Sequence, residues 1–232
     1  YAPYEDARIL VVTNEALKTN AAKSERGGYG AVQRISLTRT AGGGQIAFTN
    51  PRYMANAYRL KNDLSDVEAA LKSALGFTKD FGSEKGLPPK KLRKYHYMFM
   101  MPYFDDQDEL ASYPSHEEAL KKVESGLANK RGGAEKVYRV DLPGKDESVF
   151  GVALPLDEEI MKTIDQGPDR HAAHLCYELL VSGKKAYALK GKFRIALNFP
   201  DLTMGTFMKI SSAPSNIMWA LRDVALDRKK QD

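Results

Sequence analysis

The 232-residue sequence predicts an α+β fold, built as two related units of mainly antiparallel sheet with helices packed on one face. Three observations carry this. Pairs of β-rich runs close around short turns, as hairpins do. Helical patterns with capping residues lie between them. The run Ile46-Ala47-Phe48-Thr49-Asn50-Pro51 is also echoed by Ile195-Ala196-Leu197-Asn198-Phe199-Pro200. Each copy is followed by a Met- and aromatic-containing stretch, then a serine and an apolar helix, which is the signature of an internal repeat.

The elements follow in order. Ala7 to Thr13 holds the apolar strand Ile9-Leu10-Val11-Val12. Residues 29–40 alternate with Val32, Ile35 and Leu37. Gly42-Gly43-Gly44 turns the chain, and Gln45 to Thr49 returns as a strand. The triple glycine lacks a following Gly-Lys-Ser/Thr and opens onto a strand, so it is not a phosphate loop. Ser65 with Glu68 forms a capping box for a helix to Leu75, with Val67, Ala70, Leu71 and Ala74 on one face. The run Tyr97-Met98-Phe99-Met100-Met101 reads as a strand ending at Pro102. Ser115 with Glu118 caps a second helix, to Asn129, with Ala119, Leu120, Val123 and Leu127 facing inward. Two strands, Val137 to Val140 and Ser148 to Leu154, flank Pro143-Gly144, and a short helix runs from Asp157 to Asp165. Residues 177–181 and 186–189 form a hairpin around Ser182-Gly183-Lys184. Phe193 to Phe199 adds a strand, and Ser215 to Leu226 a closing helix.

The repeat divides the chain into units 1–110 and 111–232, or one continuous pseudo-symmetric domain. The Glu178-Leu179-Leu180-Val181-Ser182-Gly183-Lys184-Lys185-Ala186-Tyr187 hairpin, the strand and proline after it, and their partial duplication resemble a tandem version of small bacterial α+β domains of unknown function. The resemblance covers mainly residues 178–226 and 29–75. It implies a helix over a sheet and carries no functional residues with it.

An apolar share of 43% and a charged share of 28% are those of an ordinary globular protein. No apolar run reaches the roughly 18 residues that span a bilayer. The chain begins at Tyr1, which fits removal of a signal peptide, so a periplasmic or secreted location is expected. Cys176 is the single cysteine, which excludes an intramolecular disulfide framework. The net charge of +5 is spread through the chain. The densest basic stretch, Lys85, Lys90, Lys91, Arg93 and Lys94, lacks a nucleic-acid motif, so no nucleic-acid partner is expected.

The sequence contains no nucleophile elbow, His-Glu-x-x-His, phosphate loop or dinucleotide fingerprint, which lowers the expectation of an enzyme. The reading it favours is a non-enzymatic envelope binding or accessory protein. Its partner would be a small molecule or a protein, held in a cleft between the two units and lined by Tyr53, Tyr58, Tyr95, Tyr103 and Phe207. The alternative is a copper, zinc or haem carrier using His171, His174 and Cys176. No single regular element points those three side chains the same way. A zinc site would need a further ligand such as His96 or His116. Met98, Met100, Met101, Met204 and Met208 would serve as soft ligands or axial haem ligands in that reading, and as core filler otherwise. Cys176 beside a histidine is also a conceivable nucleophile–base pair. In the plainer reading it is a small buried hydrophobe. The carboxylates Asp105, Asp106, Asp108 and Glu109 lack the glycine and distal glutamate of a calcium loop and read as a solvated segment.

Overall fold

The computed structural model describes residues 1–83 and 85–229. Two antiparallel sheets and the helices around them make an α+β fold. The first sheet has three strands in the order β1 (Ala7–Val12), β2 (Gln33–Thr40), β3 (Gly43–Phe48). Between β1 and β2 lie α1 (Glu15–Ala22) and a 3-10 turn at Gly27–Gly30. After β3 come α2 (Pro51–Ala57), α3 (Ser65–Leu75) and α4 (Pro89–Leu92).

The second sheet collects β4 (Asp108–Ser112), β5 (Glu135–Asp141), β6 (Glu147–Ala153), β7 (Tyr177–Ser182) and β8 (Lys185–Ala188) in the order β4-β8-β7-β6-β5. Its helices are α5 (His116–Ala128), α6 (Asp157–Ile164), α7 (Gly191–Asn198), α8 (Met204–Met208) and α9 (Ala213–Leu226). No described helix is long and apolar enough to cross a membrane.

The five-stranded sheet is the middle layer, and alternation along β6 and β7 feeds two cores. Phe150, Val152, Leu179 and Val181 join Val123 and Leu127 of α5 and Leu221 and Val224 of α9. Val149 and Leu180 point the other way, toward Tyr29, Tyr58, Phe104 and Phe193. Each large side chain so buried contributes on the order of 1.5–3 kcal/mol. Helices α5 and α9 approach closely because position 126 is glycine: a Cβ there would lie 2.0 Å from the Val224 carbonyl oxygen.

Several expectations hold. Ser115 caps α5, accepting from the Glu118 N–H at 3.1 Å, and Ala119, Val123 and Leu127 are buried. The hairpin of β7 and β8 forms as expected. Others need correction. Helix α3 is capped by Leu64 in a left-handed conformation, while the Ser65 N–H is held by Asp63; the helix buries no residue and is peripheral. Phe193 to Asn198 is helical within α7, with Phe199 following as its C-cap residue, and not a strand. Tyr97 to Met101 is an irregular turn, with Phe99 87% and Met100 88% exposed. The two self-similar runs therefore differ in conformation. Ile46 to Phe48 is strand β3, whereas Ile195 to Leu197 is helix, with Ile195 buried in one core and Ala196 and Leu197 in the other. Residue 110 lies inside β4, and both cores take residues from either side of it.

Candidate functional site

A cleft of about 720 Å³ opens beside the three-stranded sheet. That is within the roughly 300–1,000 Å³ of ligand pockets. One wall is β3 and its continuation to Asn50. The others are Leu75 to Ser83, the segment Asp169 to His174, and the end of α7.

The wall at β3 is a sheet edge. The Arg34 backbone carbonyl accepts from the Thr49 N–H at 3.1 Å, and the register pairs Ser36 with Ala47 and Thr38 with Gln45. Alternation in an antiparallel ladder then turns the N–H and C=O of Gly44, Ile46 and Phe48 away from β2. Among the described residues nothing hydrogen-bonds to them. The opposite edge of the same sheet is partly occupied, since Tyr1 exchanges backbone bonds with Ile9 and the Ala7 N–H reaches Tyr4. On the outer face Ile46 sits beside Leu37, with Leu10 nearby, and all three are exposed.

The segment facing β3 is held from both sides. The Gln45 side chain donates to the Arg170 carbonyl at 2.7 Å and accepts from the Arg170 N–H at 2.9 Å. His171 packs edge-on against Phe81, with ring centres 4.9 Å apart, and its Nδ1 meets the Asn198 carbonyl at 3.0 Å. Lys79 pairs with Asp169 at 2.7 Å across the cleft mouth.

Behind this segment lies a buried charged cluster. Arg34 and Arg194 both pair with Glu178, and all three side chains are at most 3% exposed. Arg34 also donates to the Ala173 carbonyl at 3.1 Å, and Arg194 to the His174 carbonyl at 2.5 Å. Arg194 approaches His174 Nδ1 at 2.9 Å. Because arginine only donates, Nδ1 is the unprotonated nitrogen, and Nε2–H donates to the Tyr177 hydroxyl at 3.2 Å. Burial first, then the two guanidinium charges, hold His174 well below the usual histidine range. Burial resists ionisation of Glu178, but Arg194 and Arg34 outweigh it and keep the carboxyl below the usual range. A cluster this dry is costly, and it fixes the 172–176 backbone in place.

The sequence-predicted residues scatter across this architecture. Of the five aromatics, Tyr53 alone lines the cleft, its hydroxyl donating to the Leu197 carbonyl at 2.8 Å. Tyr58 is in the core between Tyr29 and Phe104. Tyr95 is buried and donates to Ala196. Tyr103 stacks on His96, with ring centres 4.4 Å apart, and Phe207 packs beside Tyr97 and Met101. Of the metal set, His171 and His174 both lie on the cleft wall, and both ring nitrogens of His174 are engaged in the cluster. Cys176 is fully buried, and burial pushes its thiol up to about 12. Among the described residues no three His, Cys, Asp or Glu side chains converge as a metal ion would require, and His96 and His116 bond to backbone carbonyls elsewhere.

Arg34, Glu178 and Arg194 were not singled out in the sequence. Their signal is present: Glu178 and Arg194 are charged residues inside otherwise apolar runs, and such residues must be exposed or paired. No protein-family model, curated protein or solved structure matches the chain.

Proposed function

We propose that the protein is a non-enzymatic binding protein whose cleft takes an extended peptide segment of a partner as a fourth strand on β3. The observation that carries this is the unpaired edge formed by Gly44, Ile46 and Phe48 along one wall of the cleft. A strand added there would satisfy those groups with its own backbone. Its alternate side chains would meet two surfaces. One set would lie beside Ile46 and Leu37 on the outer face. The other would enter the cleft toward Tyr53, Phe81 and His171. The favoured ligand is therefore a short segment with apolar residues at alternate positions.

Proline at 46 tests this with little disturbance of the ladder. The Ile46 N–H points away from β2, and proline is tolerated at such edge positions. Calorimetric titration with a capped hexapeptide of alternating valine and threonine should show binding to the wild type and at least about tenfold weaker binding to Ile46→Pro, the loss of a backbone hydrogen bond plus the ring's obstruction. Equal affinity for both would remove the strand-addition reading. Ala47→Pro, whose N–H faces β2, is the control that disrupts the sheet itself.

A further inference from the structure

On another part of the surface, basic and apolar side chains meet in a pattern that neither core nor cleft uses. An open depression of about 840 Å³ is lined by Arg59, Lys90, Lys91, Arg93, Lys94 and His96. Among the described residues only Arg59 of these is ion-paired, with Asp105 at 2.7 Å. Helix α4 is anchored beneath it: Arg59 donates to the Arg93 carbonyl at 2.9 Å, and Arg93 donates to the Leu60 carbonyl at 3.0 Å. The lysines are thus displayed from a fixed backbone.

The chain leaves this depression at His96 and makes a tight projecting turn. Stacking of His96 on Tyr103 closes its base, and the Met101 N–H bonds the Met98 carbonyl at 3.0 Å. Tyr97 ties it to the body through the Leu202 carbonyl at 2.8 Å. At its tip Phe99 and Met100 are almost wholly exposed, and Met98 is 43% exposed. Met101 joins this tip to Met204 on α8, in a hollow that Lys192 also lines, and Met208 is exposed farther along the same helix. A turn held this firmly, with its largest apolar side chains outermost, is not explained by folding.

We propose that this surface docks the protein onto an anionic lipid bilayer, with Phe99 and Met100 entering the interface and Lys90, Lys91 and Lys94 facing lipid headgroups. Positive charge beside a small apolar tip is complementary to that surface, which attracts cations and accepts apolar side chains at its acyl boundary. A single strand of nucleic acid would use the same charges, but it would call for several aromatic platforms in a groove. The projecting side chains here are mostly methionines, and they lie outside the depression. No described helix is long and apolar enough to cross a membrane, so the contact would be peripheral.

The test is co-sedimentation of the full chain with vesicles of phosphatidylcholine alone and with 30% phosphatidylserine added. Binding is expected only to the anionic vesicles and should fall as salt rises. Lys90→Ala, Lys91→Ala and Lys94→Ala together should weaken it on the order of a hundredfold. Phe99→Ser with Met100→Ser should weaken it by about tenfold or more while leaving charge unchanged. All five positions are exposed, and circular dichroism checks that the variants fold. No binding to anionic vesicles, or equal binding to both kinds, overturns the proposal. So does retention by single-stranded RNA without vesicle binding, which would make the surface a polyanion site. Unchanged vesicle binding in the Phe99/Met100 variant would overturn insertion of the tip.

Discussion

The two sheets solve opposite problems. The five-stranded sheet is covered on both faces, so every residue of β6 but the last is buried, and β7 is buried apart from Ser182. The three-stranded sheet buries one face and leaves Leu10, Leu37 and Ile46 exposed on the other, beside a free edge. Exposed apolar edge strands invite pairing and are usually blunted by charge, proline or cover. On β1 the N-terminal residues provide partial cover. On β3 nothing described does, and the cleft opens there. Among the described residues, one sheet has its central strands buried and the other keeps an uncovered edge.

That contrast can be broken first at the charged cluster between the cleft segment and the covered sheet. Removing the shared carboxylate in Glu178→Ala strands two buried guanidinium groups and should cost about 3–5 kcal/mol or prevent folding, as urea denaturation would show. The next effect is at the helix layer. Gly126→Ala drives a methyl group into the Val224 carbonyl and should cost about 1–3 kcal/mol. Gly44→Ala on β3 meets nothing within 4 Å and should be neutral, or stabilising by up to ~1 kcal/mol. Equal destabilisation by the two glycine changes would erase the proposed difference between the sheets.

The pH dependence gives a smaller and more diagnostic effect. The depressed His174 means that the unfolded chain binds a proton below about pH 6.5 that the folded chain refuses, so stability falls as pH drops through that range. Glu178 acts in the same direction at lower pH, its contribution being lost as pH falls through its depressed folded value. Asp157 works in the opposite sense. Burial raises its carboxyl to about 7, so the stability it contributes when protonated is present below about pH 4 and lost as pH rises toward 7. Asp157→Asn should therefore exceed the wild type in stability above pH 7 and match it near pH 4. A constant difference across that range would contradict the assignment.

Much of this fold is legible in the sequence where local chemistry decides the outcome. Ser115 caps its helix, and the β7–β8 hairpin turns at Gly183, a left-handed position at φ 56°. Legibility fails where an apolar run has no local clue to its partner. Phe193 to Phe199 is buried on several sides, so its pattern does not separate helix from strand, and close packing of Gly191 against Pro214 accompanies the helical outcome. Tyr97 to Met101 has the composition of a buried strand, yet Phe99 and Met100 point into solvent. The bond from the Met101 N–H to the Met98 carbonyl and the positive φ of Met100 show that it is a turn. The candidate site was the least readable part. It depends on an edge left unpaired and on charges brought together from β2, β7 and α7, and both are consequences of tertiary topology.

Amide hydrogen exchange along β3 tests the central claim most directly. In the free protein the amides of Gln45, Ala47 and Thr49 should be protected by β2, while those of Gly44, Ile46 and Phe48 exchange quickly. Saturation with the alternating valine–threonine peptide should slow the second set and leave the first unchanged. Binding that leaves Gly44, Ile46 and Phe48 as fast as before would contradict strand addition at this edge.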